Sequence, residues 1–530
     1  VSGRLATAID RAVLTVAPVW GSRRLRARAQ ADLLLAASGG GYGRHGASKT
    51  KRSLLGWITG RGGDADADIT TNLQTLRARS RDLYMGGGLG CGAVKTVLQN
   101  AVGPGLYLNP QIDADYLGMD QDQAAAWERS VEREFYLWAE SDACDYNRTV
   151  NFQGLQRLAF LSFLLNGDVF ALLPMVRRTG SPYRTAVQLI EGDRVCNPDA
   201  YDRTRDIREG VERDEKGVDV ACWICRGHPG AAPQTPAESL RQHEWIRVPY
   251  FGARSGRRNV LHIMEPERIG SRRGVPFLAP VIEDLKQLAR YTDAELMAAV
   301  IGSMMTVFIT SSTPEAPPLG EAVTLPGEGA GAENEERKLA LGNGSILSLD
   351  EGENVQTVDP KHPADAFDPF VTALSRQIGA ALGLPYDVLV KAFNASYSAS
   401  RGALLEAWKT FRVWRSFFVS SFCQPVYEAW LEEAVALGRV EAPGFFDDPM
   451  TRKAYCGSEW HGPSQGTLNP MQEASAWKLL VDEDFTTRAA IVAEQNGGDF
   501  NRVVRQRAAE EKARRENGLA EDPRERDYIL

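Results

Sequence analysis

The stretch GGGYGRHGASKT sets Gly41, Gly43 and Gly46 in a G-x-G-x-x-G spacing and ends on Lys49 and Thr50. Either phosphate-binding motif needs a strand before the glycines and a helix after them, so that backbone N–H groups converge on the anion. Here Ser48 stands where the phosphate loop requires glycine, and the flanks are basic and low in complexity. Cys222 and Cys225, with His228 nearby, have the spacing that opens a zinc site, but no second pair follows at useful distance. The alternation of VDVACWICR accounts for both cysteines as strand residues. In HEWIR (243–247), Arg247 occupies the place of the second histidine that a zinc hydrolase helix needs. Ser458, Glu459 and His461 are close in sequence, which is not the geometry of a triad.

The densest polar stretch is NASYSASR, where Asn394, Ser396, Tyr397, Ser398, Ser400 and Arg401 follow Lys391. A nucleophilic serine needs a base, and no histidine lies between His362 and His461. Ser398 or Ser400 is expected instead to cap the helix that follows. TFRVWRSFF mixes bases and aromatics as nucleic-acid grooves do, but Phe411, Phe418 and Phe422 share one helical face and read as packing. The reading is therefore of no catalytic residue, no cofactor and no metal.

Composition narrows the class. With 43% apolar and 25% charged residues the chain has the balance of a globular protein, and its net charge of −8 excludes a surface that grips phosphate throughout. Residues 1–63 depart from this balance, with eleven Arg or Lys against Asp10 and Asp32 alone, and read as a flexible basic arm. Seven cysteines without regular spacing indicate reduced thiols in a cytosolic setting. Asp10 and Arg11 interrupt any secretory leader, and LAFLSFLLNGDVFALLP is broken by Asn166, Gly167 and Asp168, so a soluble chain without a membrane span is expected.

The elements that must position the polar stretch follow from periodicity. Helical patterns run through Leu76, Leu83, Val94, Val97 and Leu98, then over 124–139 and 152–165, with ordered structure starting near Ile69. Short β-like runs occupy 169–262. A helix over 280–308, ~43 Å long, precedes a Pro-, Gly- and Glu-rich segment that cannot fold alone, and 344–358 read as a hairpin-like return. A second helix is expected at 369–382, with Asp368 as its cap, stopped by Gly383 and Pro385. A third begins near Arg401 and should kink at Pro425, and the carboxyl end is helical again. The fold class is α+β, mainly helical.

Four blocks in this order carry a resemblance: LRARSRDLY with NAVGPGLYLNP, then RIGSRRGVPFLAPVIEDLKQLARYTDAEL, then IGAALGLPYDVL with NASYSASRGALLEAWKTFR, and WHGPSQGTLNPMQEASAW. From about Leu73 to Glu511 the chain resembles the lambda-type family of tailed-phage portal proteins. It departs at Ile269 and Ser271, where the family tends to carry Pro and Gln, at Asn469 in place of Asp, and in the glycine-rich MGGGLGCGAV. None of these removes a chemical group that a mechanical role requires.

The resemblance implies a portal architecture with wing, stem, clip and a crown-like end. Residues 1–63 would be the arm, 64–273 the wing, 274–308 and 361–382 the stem helices, 309–360 the clip and 383–399 a tunnel loop. Residues 400–440 would form the long wing helix and 441–530 the crown-like region. It further implies a homo-oligomeric ring of about twelve subunits closed by head-to-tail contacts, at one capsid vertex of a virion assembled in the host cytoplasm. Its partners would be double-stranded DNA held without sequence preference, the large terminase subunit, scaffold and major capsid protein, and head-completion or connector proteins. Lys391, Asn394, Ser396, Tyr397, Ser398 and Arg401 would face the DNA, with Gly383 and Pro385 as helix stop and Ser400 as cap. An acidic chain suits such a channel, since clasping lysines and arginines would hold DNA too tightly to slide.

Two other classes stay open at this point: a passive adaptor ring of the head–tail junction, and a nucleotide-driven packaging enzyme, against which the incomplete phosphate loop speaks. The purified chain is expected to turn over no ATP without a large terminase, in a phosphate-release assay. Turnover by the chain alone that disappears in Lys49→Ala would overturn this reading.

Overall fold

The computed structural model describes residues 17–23, 26, 27, 52–54, 62–200, 204–303, 307–311, 353–357, 367–393, 396–466, 469–496 and 500–517. The glycine-rich motif at 39–50 and most of the expected clip lie outside them. The chain divides into Val1–Asp64 and Ala65–Leu530. In the first unit, a helical turn at 18–23 and a 3₁₀ turn at Arg52–Leu54 are described.

The second unit is an α+β body, mostly helical. Helices α1 (Leu73–Gly86), α2 (Gly88–Ala101), α3 (Gln121–Ala139) and α4 (Phe152–Asn166) agree closely with the apolar periodicity. Asp120 opens α3 through a capping box with Gln123. Between α2 and α3, β1 (Tyr107–Pro110) pairs antiparallel with Ser458–His461 near the other end of the chain. Strands β2 (Asp168–Leu172), β3 (Gln188–Glu191) and β8 (Val260–Met264) form one antiparallel sheet in the order β3-β2-β8. Strands β4 (Asp206–Arg208), β5 (Val211–Arg213), β6 (Asp219–Cys225) and β7 (Trp245–Pro249) form a second sheet in sequence order.

Helix α5 (Ile282–Ser303) follows a 3₁₀ turn at Ala279–Val281. It is ~33 Å long and shorter than the periodicity predicts. Phe308 belongs to β9 (Val307–Ser311), which pairs antiparallel with β10 (Glu353–Thr357). The β-branched and aromatic run VFIT favours a strand over a further helical turn. Helix α6 (Phe367–Leu382) starts two residues before the expected 369, so Asp368 sits in its first turn rather than capping it. Tyr291 of α5 stacks on Phe367 and meets Phe370 edge-on, at 5.6 and 5.0 Å between ring centroids, joining the two helices.

The long helix expected to kink at Pro425 is two helices, α7 (Tyr397–Phe418) and α8 (Gln424–Ala436), joined by a π-helical segment at Val419–Cys423. Pro425 offers no N–H, and the wide turn before it absorbs the disturbance to the hydrogen-bond ladder. Around this joint lies an aromatic core. Phe135 of α3 has Phe152, Tyr427, Trp430 and Trp460 around it at 5.1–6.1 Å. Phe411, Phe418 and Phe422 are buried, so the aromatic stripe is packing.

Charge is also buried, and it is compensated. Asp168, at the start of β2, accepts from Arg77 Nη2 at 2.6 Å, from Arg273 Nε at 2.6 Å and Nη2 at 3.0 Å, and from the Gly274 N–H at 3.2 Å. Arg77 donates further to the Asn166 carbonyl, closing the end of α4. Arg273 donates to the carbonyls of Gly192, Val195 and Glu209. A side chain at Gly192 would run into the Asp168 carboxylate, so only glycine fits there. All three charged side chains are at most 2% exposed.

Burial alone would raise the Asp168 pKa, but Arg273 and Arg77 reverse this and hold it well below the usual carboxylate range. A depressed carboxylate stabilises the fold above the unfolded value of ~3.9, and that contribution is lost as pH falls through the folded value. Asp168→Asn should cost ~3–5 kcal/mol at neutral pH, because two buried guanidinium groups lose their counter-charge. It should also flatten the decline of stability below pH ~4. Urea melts as a function of pH check both, and a variant with unchanged midpoint and acid slope would contradict the assignment.

Candidate functional site

The polar stretch sits between α6 and α7 and is held at both ends. Ile378 and Leu382 of α6 are buried, whereas Phe370 at the far end of the same stripe is half-exposed. Gly383, at φ +67°, stops the helix in the left-handed conformation, and the Leu384 N–H reaches back to the Gly379 carbonyl at 2.8 Å. Thr410 of α7 donates to the Gly383 carbonyl at 3.1 Å, tying the stop to the next helix. The segment expected as a loop over 383–399 is partly helical. After Pro385 the chain makes one helical turn, Tyr386–Val390, whose Val388 and Leu389 enter the main core.

Lys391 ends this turn with φ +57°, its N–H bonded to the Asp387 carbonyl. Its side chain is exposed and has no ion-pair partner among the described residues. Phe393 follows, half-exposed, and Asn394 lies outside the described residues.

The cap of α7 differs from expectation. Ser396, not Ser398 or Ser400, accepts from a backbone N–H, that of Ala399 at 3.4 Å. Ser400 is buried one turn inside, and its N–H makes an early helical bond to the Ser396 carbonyl at 2.9 Å. The helix thus starts four residues before Arg401, because Tyr397, Ser398 and Ala399 are tolerated in a first turn once Ser396 satisfies its donors. Tyr397 and Ser398 remain exposed.

Arg401, expected as a flanking base, is turned toward Glu473 of helix α9 (Pro470–Asp482), at 3.7 Å. Its guanidinium is engaged within the chain, which leaves Lys391 as the exposed cation of the turn. Phe393 and the partner Glu473 were not singled out by sequence. The signal for Phe393 was an apolar residue beyond the last buried position of its stripe; nothing local pointed to Glu473.

The other candidate constellations within the described residues do not assemble. Cys222 and Cys225 lie on β6 with buried thiols, and burial pushes Cys222 up to about 12. His243 precedes a strand, not a zinc-binding helix. Ser458 is hydrogen-bonded to Gln424. Among the described residues, no three of His, Cys, Asp and Glu converge as metal ligands, and no helix is long and apolar enough to cross a membrane.

Further along α7, Arg415 donates to the Ala101 carbonyl at 2.8 Å, the Asn100 carbonyl at 2.9 Å and the Pro463 carbonyl at 2.6 Å. One guanidinium thereby caps the carboxyl end of α2 and anchors the WHGP segment to the helix behind the turn. Burial, with Arg412 adding to it, pushes its pKa down to about 10, so it stays charged at neutral pH.

Comparison with known proteins gives this arrangement a family. A sequence model described as phage portal protein, lambda family, matches residues 50–415. Portal protein B of Escherichia phage lambda is 24% identical over 476 residues, covering 86% of each chain. The portal protein of Escherichia phage N15 is 25% identical over 505 residues, covering 91% of this chain and 90% of that one. A chain from the neck of an empty gene transfer agent (GTA) particle superimposes with a TM-score of 0.37 at 14% identity, covering 79% of this chain and 92% of that chain, a likeness too slight to define the fold. With its family model matched over more than half its length and two relatives spanning most of it, this chain belongs to the lambda family of phage portal proteins.

Proposed function

We propose that copies of this chain form a ring at one capsid vertex, through which double-stranded DNA is packaged and later ejected. Helices α5 and α6 would be the stem, residues 309–360 the clip that docks the terminase and then connector proteins, and α7 with α8 the wing helix. Residues 1–63 would serve procapsid assembly through their basic charge. Leu296, Met297 and Val300 of α5 and Phe370 of α6 are exposed in the single chain, as side chains destined for a neighbouring subunit would be.

The observation that carries the DNA reading is the make-up of the turn. Lys391, Phe393, Ser396, Tyr397 and Ser398 are exposed side by side in the chain, with one free cation and no carboxylate among them. Repeated around a ring, this offers DNA a weak, sequence-blind contact instead of a clasp. The αL conformation of Lys391 and the buried Val388 and Leu389 before it fix where the turn begins. A passive adaptor would need no such turn.

The cap geometry supplies a clean test. Ser396→Asp preserves the N-cap, so folding and ring formation should be unchanged, yet it places one carboxylate per subunit against phosphate. Packaging into assembled procapsids should fall, most steeply at low salt where screening is weakest. Ser396→Ala should instead lose ~1 kcal/mol of stability with packaging less affected. Lys391→Asn, which tolerates positive φ, should weaken DNA retention without unfolding. Full packaging by Ser396→Asp at low salt would remove the turn from the DNA path, and loss of rings would make it a subunit contact.

A further inference from the structure

Away from the turn, two segments distant in sequence build one acidic, partly apolar face. The helical turn Ala114–Leu117 lies beside the helix Pro449–Tyr455, joined by a hydrogen bond from the Tyr116 hydroxyl to Asp448 at 3.1 Å and by Asp113 N–H to the Ala454 carbonyl at 3.1 Å. Trp127 of α3 donates to the Glu441 carbonyl at 2.7 Å and packs against Tyr455 at 5.2 Å, closing the unit from behind.

On its outer side Tyr116, Phe446 and Met450 are 51–58% exposed. Flanking them in the chain are Asp113, Asp115, Asp120, Asp122, Glu441, Asp447 and Asp448, none in an ion pair among the described residues. Three of these acids have structural work: Asp113, Asp120 and Asp448 each cap a helix. Asp115, Asp122, Glu441 and Asp447 have none. The bases of the two segments are few, since 111–123 contain neither Lys nor Arg, and Arg452 is paired with Glu432, leaving Lys453.

Two aromatic rings and a thioether left in water, on two joined segments rich in uncompensated carboxylates, are the complement of a particular surface. Aromatic and Met side chains supply the apolar contact of interfaces, and like charges around them favour only partners of opposite sign. We propose that this face docks a basic amphipathic segment of another protein, its apolar side against Tyr116, Phe446 and Met450 and its lysines or arginines over the aspartates. The surface is separate from the turn and does not depend on its role.

The experiment uses the full chain and a fluorescent Lys/Leu amphipathic helical peptide of about 18 residues. Controls are a shuffled peptide of the same composition and a Glu/Leu peptide of the same pattern. The ordered Lys/Leu peptide should bind, with affinity falling as salt rises. Asp115→Asn with Asp122→Asn and Asp447→Asn, which spare all three caps, should weaken it by about tenfold or more, as should Phe446→Ser with Met450→Ser. Melting temperatures should not move in either variant. Equal binding of the shuffled or the Glu/Leu peptide, or unchanged affinity in either variant, would overturn the proposal. So would a Phe446→Ser, Met450→Ser variant that alters self-association but not peptide binding, since the face would then join copies of this chain.

Discussion

Two arginines converging on one buried carboxylate hold the body together. Asp168, Arg77 and Arg273 come from positions far apart in the chain, and each also closes backbone groups that would otherwise be orphaned. Desolvating three charges is unfavourable in itself, and replacing the whole set by apolar residues could stabilise the fold as well or better. What the ionic cluster adds is geometry. A guanidinium fork accepts few arrangements, so α1, β2, the loop at 192–195 and the segment leading into α5 are fixed relative to one another. Helix α5 therefore leaves the body in a defined direction.

A second set of ties carries that direction toward the turn. Arg415 joins α7 to the end of α2, and Glu433 of α8 accepts from the backbone N–H groups of Arg184 and Thr185 at 2.7 and 2.8 Å. All of these bonds run between a side chain and backbone, which pins position without relying on the conformation of a second side chain. The polar tip at 391–398 is then a short excursion between two helices whose own places are set elsewhere. Its exposed residues are free of packing duties, apart from Ser396 as the cap.

Much of this was legible in the sequence. Helices α1 to α4, β2, β3, β6 and β8, the glycine stop at Gly383 and the aromatic stripe of α7 followed from periodicity and turn chemistry, because each is a local pattern. The misjudged features depend on distant partners. Phe308 became a strand because a pairing strand exists some fifty residues on. Arg401 looked like a free base until Glu473 met it. The choice between Ser396, Ser398 and Ser400 as cap turns on where the preceding helical turn ends, which the buried Val388 and Leu389 decide. Two of the blocks that carry the family resemblance have a physical reading. RIGSRRGVP carries Arg273 to Asp168, and WHGP brings Pro463 to Arg415.

The wide turn at Val419–Cys423 has a consequence for phase. Each residue of a regular helix advances by about 100°, so an apolar stripe begun at Phe411 and Phe418 would drift off the core well before Trp430. One additional residue in the turn rewinds that drift by about one step. Trp430 thus returns to within ~20° of the azimuth of Phe418, and both helices present buried residues to a single core. The joint corrects the rotation of the stripe. A chain lacking one residue here would keep every helix-forming signal and still present the wrong side of α8 to Phe135.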